Sequence, residues 1–111
     1  MLGKQFRLKK NKEFNYIYKK GKTTSNKVLS VVYVPTKLEN IRVGFSISNK
    51  VGNSVVRHKV KRRLTHLFKE FINQLPKNNY IFVARTGIQN LEYNDLRIQM
   101  QRVLQKAGLL D

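Results

Sequence analysis

The chain has 111 residues and a hydrophobic content of 41%, enough to bury a core, so we expect residues 1–111 to form a single domain. Its 23 Lys and Arg residues oppose only 6 Asp and Glu, and the resulting charge of +17 favours a polyanionic partner. The absence of cysteine excludes disulfides and thiolate metal sites, and no apolar run reaches the roughly 20 residues of a membrane-spanning helix.

The N-terminal segment of the chain is polar and basic. Residues 1–7 contain no hydrophobic core of the kind found in a signal peptide. We therefore expect a cytoplasmic protein with no membrane partner.

The first predicted helix covers residues 11–20, with Asn11 as its N-cap and Gly21 as its stop. Phe14 and Tyr18 are four residues apart, as expected for neighbours on one face of a helix. On spacing alone, this face is expected to pack into the core.

Four segments have the pattern of β-strands. Residues 27–34 and 41–48 alternate in polarity, and the second of these has one face that is small and polar. Residues 80–85 are almost continuously apolar, which predicts a central strand. Residues 22–25 form a possible extra edge strand.

A long second helix is predicted from residue 53 or 54 to the residue before Pro76, and a last helix over residues 92–107. Apolar residues of the second helix fall within an arc of about 120°, and basic residues cover most of the rest. The predicted fold is an α+β two-layer sandwich in the order α-β-β-β-α-β-α, with helices packed on a four-stranded, mostly antiparallel sheet.

The second helix carries an unusual concentration of charge. Five strong bases fall within residues 57–63, and the next acid is Glu70. Repulsion between bases three or four residues apart costs about 0.2–0.5 kcal/mol per pair. An anionic partner therefore explains the run better than a solvated helix face, which is the alternative.

Residues for catalysis by the protein itself are missing. The acids do not form a two-carboxylate site, because Glu92 and Asp95 are better explained as favourable charge at a helix N-terminus. His58 and His66 are not spaced as a zinc-binding pair, and no glycine-rich phosphate loop is present. We predict no catalytic residue and no metal site in the protein, and we predict RNA binding by aromatic and basic side chains.

Four blocks of the sequence resemble the bacterial ribonuclease P protein subunit. The run KVGNSVVRHKVKR at residues 50–62 is similar to the family pattern K-x-G-N-A-V-x-R-N-R-x-K-R. RLKKNKEF at 7–14, RVGFSIS at 42–48 and YIFVAR at 80–85 resemble the first helix and two strands of the family, in the same order.

The resemblance implies a subunit that joins a catalytic RNA and helps to mature the 5′ end of precursor tRNA. It implies that the RNA carries the active site and its Mg²⁺ ions, and that no obligate protein partner is needed. It also implies a left-handed βαβ crossover, against the usual right-handed rule.

Two groups of site residues follow from the resemblance. A cleft for the single-stranded 5′ leader of precursor tRNA would be lined by Phe14, Tyr18 and Val32. Residues expected to meet the catalytic RNA lie on or just before the basic helix: Lys50, Asn53, Arg57, His58, Lys59, Lys61 and Arg62.

Several positions depart from the family pattern. His58 and Lys59 stand where the family has Asn and Arg, and a lysine does not reproduce a forked guanidinium contact. Thr65 stands where many members have Arg, and Arg63 is the neighbouring base that could supply the charge. Val32 occupies the position of a cleft aromatic.

A ribosomal or ribosome-assembly RNA-binding protein and a stand-alone nuclease are the alternative functions.

Overall fold

The computed structural model describes residues 3–36 and 40–111 and confirms the predicted order of elements. Its helices and strands are α1 (Asn11–Lys20), β1 (Lys22–Ser25), β2 (Leu29–Pro35), β3 (Arg42–Ile47), α2 (Ser54–Phe71), β4 (Asn78–Ala84) and α3 (Tyr93–Lys106). The possible edge strand β1 is present. The last predicted turn of α2 is a separate 3₁₀ turn, Ile72–Gln74.

The four strands form one mixed sheet in the order β1-β2-β4-β3. β1 with β2 and β2 with β4 are antiparallel, whereas β3 and β4 are parallel. The central position predicted for the apolar strand β4 is confirmed. Because β3 and β4 are parallel neighbours, the chain must return along the length of the sheet after β3 before it can enter β4. Helix α2 forms part of this crossover connection.

The main core lies between one face of the sheet and the helices α2 and α3. Residues whose side chains are completely buried there include Leu64, Leu67 and Phe68 of α2, and Met100 and Leu104 of α3. These residues follow the helical spacing seen in the sequence, so the burial of one apolar stripe per helix accounts for this layer.

The opposite face of the sheet is covered in part by α1. Ile17 is buried there with Val32 and Ile81 in a second, smaller cluster. Tyr33 projects to the main core, where its hydroxyl donates to the carbonyl of Ala107 at 3.3 Å. The predicted alternation, with Val32 and Tyr33 on opposite faces, is confirmed.

One tyrosine hydroxyl is enclosed in the main core. Tyr80 is fully buried and donates to the carbonyl oxygen of Pro76 at 2.6 Å, while the Asn78 amide donates to the Tyr80 oxygen at 3.3 Å. Burial raises the pKa of Tyr80 to about 12, because the phenolate would lose its hydration.

The raised pKa of Tyr80 predicts a loss of stability in alkaline solution. Above pH 10 the unfolded chain releases the phenolic proton while the folded chain retains it until about pH 12. The free energy of unfolding of the native protein should therefore fall faster than that of Tyr80→Phe, by up to about 1.4 kcal/mol per pH unit. Urea unfolding of both proteins from pH 9 to 12 measures this. Parallel curves would contradict the assignment, because all other titrating groups are shared.

Candidate nucleic-acid interface

Helix α1 crosses the sheet from β3 toward β2. At its start, the ring of Phe14 lies against Gly44, so closely that a Cβ on Gly44 would be 2.3 Å from the ring Cζ. At its end, Gly21 lies against Val32 and the carbonyl oxygen of Tyr33. The absence of a side chain at Gly44 and Gly21 lets the helix lie directly on the strands.

An ion pair fixes one flank of α1. The guanidinium of Arg42 donates to the carboxylate of Glu13, which also accepts from the backbone N–H of Lys10 at 3.2 Å. Lys10 is thus the N-cap residue, and the predicted N-cap, Asn11, is wrong by one position. The helical hydrogen bonds already begin at Lys10, whose carbonyl accepts from Phe14 N–H at 3.3 Å, so Asn11 lies inside the first turn.

The other flank of α1 carries the two aromatic residues predicted for the leader cleft. At about 100° per residue, Phe14 and Tyr18 lie on the side of Ile17 opposite to Glu13. Phe14 is half-buried and packs on the second cluster, whereas Tyr18 is 45% exposed. This aromatic flank faces the part of the sheet toward the C-terminal end of β3.

A row of mostly small polar residues forms the sheet surface beside this flank. Ser46, Val83, Ser30 and Ser25 are paired across the four strands in one line, which we call the polar row. Arg85 is anchored on it: its Nε donates to Ser30 Oγ at 3.1 Å and its second terminal nitrogen to Ser25 Oγ at 3.4 Å. An exposed guanidinium held in this way is suited to bind an anion.

Val32, the third residue predicted for the cleft, lies under α1. It is only 3% exposed and packs within the second cluster. Its contribution at this position is to support the helix that carries Phe14 and Tyr18. The exposed aromatic surface of the cleft therefore comes from α1.

The basic residues of α2 divide between two faces. Arg57, His58 and Lys61 line a groove of about 280 Å³ with Phe45 and Ile47 of β3, which we call the helix groove.

Lys59 and Arg62 are exposed on the outer face of the helix, at least about 100° from Lys61 around the axis. Arg63 lies farther around, and its guanidinium donates to the carbonyl of Leu91 at 3.1 Å. Arg63 is therefore held against the loop before α3, on a different side of α2 from Thr65.

The residues before α2 order its first turn. Asn53 is the N-cap, and its side chain accepts from Val56 N–H at 3.0 Å. Arg57 folds back to donate to the carbonyl of Gly52 at 3.2 Å. Lys50 is exposed in the preceding 3₁₀ turn. These contacts bring Lys50 and Arg57 to the same end of the helix.

A second cavity joins the two predicted surfaces. It has a volume of about 110 Å³ and lies across the outer edge of β3, and we call it the edge pocket. Its lining residues are Arg7, Leu8, Phe14, Val43, Gly44, Phe45, Lys61 and Thr65. Phe14 of the aromatic flank and Lys61 of the basic helix therefore line one pocket.

Two features of this interface had no clear signal in the sequence, and a third had only a partial one. Arg85 ends a strand, and only its contacts with Ser25 and Ser30 show that it belongs to the polar row. Arg7 joins the site because residues 7 and 8 bridge to β3 at Val43. The small polar face of β3 was visible as alternation, but its neighbours across the sheet were not.

Neither a metal site nor a membrane span is found in the described ranges. Over residues 3–36 and 40–111, no group of three or more His, Cys, Asp or Glu side chains could hold a metal ion. The same residues include no helix with the length and hydropathy needed to cross a membrane.

Comparison with known proteins gives one consistent result. Residues 2–108 match the family model described as Ribonuclease P. The chain is 35% identical over 108 residues to a Ribonuclease P protein component of Streptococcus pyogenes, covering 97% of this chain and 91% of the relative. A structure of the Staphylococcus aureus RNase P protein superposes with a TM-score of 0.89 at 31% identity, covering 96% of this chain and 98% of the other. The RNase P protein of Thermotoga maritima shares the fold at 22% identity, with a TM-score of 0.81 over 90% of this chain and 96% of the other.

The ion pair on α1 has a predicted pH signature. Burial alone would raise the pKa of Glu13, but hydrogen bonds from Lys10 N–H and the Arg42 guanidinium lower it overall. The resulting stabilisation is present above the usual pKa of 4.5 and is lost as the pH falls through the lower, folded value. Glu13→Gln should cost up to about 1 kcal/mol at pH 7 because the pair is partly solvated.

Urea unfolding at pH 7 and at pH 3 measures this difference between native and variant proteins. The control is Asp111→Asn, which removes an exposed acid that has no ion pair among the described residues. A Glu13→Gln penalty that persists unchanged at pH 3 would contradict an ionic origin.

Proposed function

The chain belongs to the ribonuclease P protein family, and we propose that it binds the catalytic RNA and the 5′ leader of precursor tRNA to assist maturation of the tRNA 5′ end. The observation that carries this proposal is the meeting of the aromatic flank and the basic helix at the edge pocket. Cleavage by a catalytic RNA needs both surfaces together, because the substrate strand must lie beside the RNA that cuts it.

We assign the basic side of α2 to the catalytic RNA. Arg57, His58 and Lys61 line the helix groove, while Lys59 and Arg62 extend the positive surface around the helix. The same helix buries its apolar stripe in the core, so these charges are held on a rigid support. The rigid helix fixes the backbone positions of these cations, so binding of phosphates requires no ordering of the backbone.

We assign Tyr18 of the aromatic flank and the polar row to the single-stranded leader, with Phe14 beside them at the boundary with the edge pocket. A strand of unpaired RNA can stack a base on Tyr18 and place a phosphate at Arg85, whose guanidinium is bound to the buried Ser30 hydroxyl, with Ser46 along its path. Stacking tolerates any base, and the hydroxyl groups and guanidinium suit the backbone. This arrangement suits leaders of varied sequence.

Catalysis is assigned to the RNA. The proposed role of the protein is binding and positioning, with Mg²⁺ held mainly by the RNA of the holoenzyme. The two acids with recorded ion pairs, Glu13 and Glu70, are bound to Arg42 and Arg97 within the protein. The proposed partners are the ribonuclease P RNA and precursor tRNA, in the cytoplasm.

Reconstitution tests the proposed function. The purified protein should restore cleavage of a precursor tRNA by a bacterial ribonuclease P RNA at a Mg²⁺ concentration at which the RNA alone is inactive. Cleavage at the mature 5′ end is measured on labelled precursor. Binding of both RNAs without restored cleavage would favour a ribosomal or assembly protein, and cleavage by the protein alone would favour a stand-alone nuclease.

The leader assignment predicts a substrate-dependent loss at Tyr18. Tyr18→Ala should weaken holoenzyme binding of precursor tRNA by about 1–3 kcal/mol, because one base stack is lost, and leave binding of mature tRNA unchanged. Dissociation constants for the two RNAs measure this.

Tyr16→Ala is the matched control. Tyr16 is 57% exposed on the same helix but lies about 160° from Tyr18 around the axis. Equal weakening with both RNAs, or an equal effect of Tyr16→Ala, would overturn the assignment.

A further inference from the structure

The outer edge of β3 is open beside the edge pocket. In the described ranges, the one bridge outside the named strands joins Arg7 to Val43, and Val43 C=O accepts from Leu8 N–H at 3.0 Å. Backbone groups alternate along a strand, so the N–H and C=O of Phe45 point to the same outer side as those of Val43. The pocket is thus bordered by a backbone donor and acceptor that no other strand in these ranges pairs.

Two small residues leave room for this pocket. Gly44 lets the Phe14 ring lie against the strand, and Thr65 faces the pocket from α2. Thr65 is 5% exposed, and its hydroxyl donates to the Lys61 carbonyl at 2.8 Å. A long side chain at residue 65 would fill the space between Phe14 and α2.

The chemistry of the lining suits a flat, apolar group attached to an anion. Leu8, Phe14 and Val43 supply apolar and aromatic surface, and Arg7 and Lys61 supply positive charge. An adjacent N–H and C=O match the donor and acceptor on the edge of a nucleobase. A peptide strand would pair with the edge equally well, but its uncharged backbone would gain nothing from the two cations.

We propose that the edge pocket receives one unpaired nucleotide of the ribonuclease P RNA. The base enters against Phe14 and the Phe45 backbone, and its phosphates lie at Arg7 and Lys61. The catalytic RNA is the source because Lys61 and Thr65 belong to the helix assigned to that RNA, and the helix groove continues from the pocket past Phe45. This inference rests on the proposed function and adds a base-binding subsite to it.

A pair of neighbouring substitutions separates pocket filling from added charge. Thr65→Arg and His66→Arg each introduce a guanidinium on α2, but His66 is exposed and lies outside the pocket. Affinity for the ribonuclease P RNA is measured without precursor tRNA, at fixed salt, on proteins shown by circular dichroism to be folded. His66→Arg should bind as tightly as the native protein or more tightly. Thr65→Arg should bind about five- to tenfold more weakly, because the lost base stack outweighs one added charge.

The result that would overturn the proposal is tighter or unchanged RNA binding by Thr65→Arg. If Thr65→Arg does not fold, Gly44→Ala serves instead, because its Cβ would displace the Phe14 ring without changing charge. This variant should also bind the RNA several-fold more weakly than the native protein, and unchanged affinity would count against the pocket.

Ultraviolet cross-linking of the native protein identifies the source of the base. We expect a cross-link from the peptide containing Phe14 or Phe45 to a single-stranded nucleotide of the ribonuclease P RNA, formed without precursor tRNA. No cross-link at these peptides, or one only to the tRNA leader, would overturn the proposal. Reconstituted cleavage by the native protein tests the proposed function separately. Restored cleavage without a cross-link at the Phe14 or Phe45 peptide would therefore reject this subsite and leave the proposed function standing.

Discussion

The arrangement of the whole interface depends on the burial of the apolar stripe of α2 on the sheet. Val60, Leu64 and Phe68 are almost entirely removed from water, and each such side chain contributes about 1.5–3 kcal/mol by burial. This gain exceeds the few tenths of a kcal/mol lost to each pair of neighbouring bases. Hydrophobic packing therefore holds the cations together in the free protein.

The same burial determines where the charge lies. α2 connects the parallel neighbours β3 and β4, so it packs on the face of the sheet that these two strands form together. β3 is at the edge of the sheet, and one basic flank of the helix consequently emerges along that edge. Edge strands are usually shielded from other strands by charge, and here Arg57 and Lys61 supply that charge beside β3.

Periodicity was sufficient to predict the elements but not the contacts between them. The alternation of β2 correctly separated Val32 from Tyr33, and the run from Tyr80 correctly indicated a central strand. The meeting of Phe14 with Lys61 could not be read in this way, because it depends on α1 lying on the other face of β3 over Gly44. The pocket is lined by these two residues although they are 47 positions apart in the chain and lie on opposite sides of β3.

Isolated basic residues were the hardest to place from the sequence. Arg63 is adjacent to Arg62 in the chain, yet it is bound to Leu91 on another side of the helix. Arg85 follows an apolar strand, and the sequence pattern there does not indicate which face its side chain joins. Its place on the polar row is visible only from the hydroxyl groups of Ser25 and Ser30 that hold it. A long side chain can reach in many directions, so the partner that holds it decides its role.

The internal pairing of Glu13 and Glu70 has a consequence for the protein before it meets RNA. With these acids turned toward Arg42 and Arg97, little negative charge is left to balance the outer surface of a chain of charge +17. Dissolved salt screens this self-repulsion and so favours the compact free protein, but the same salt competes with the protein for phosphates. Ionic strength thus acts in opposite directions on the fold and on the complex. A polyanion bound to this surface would relieve the same self-repulsion that salt screens.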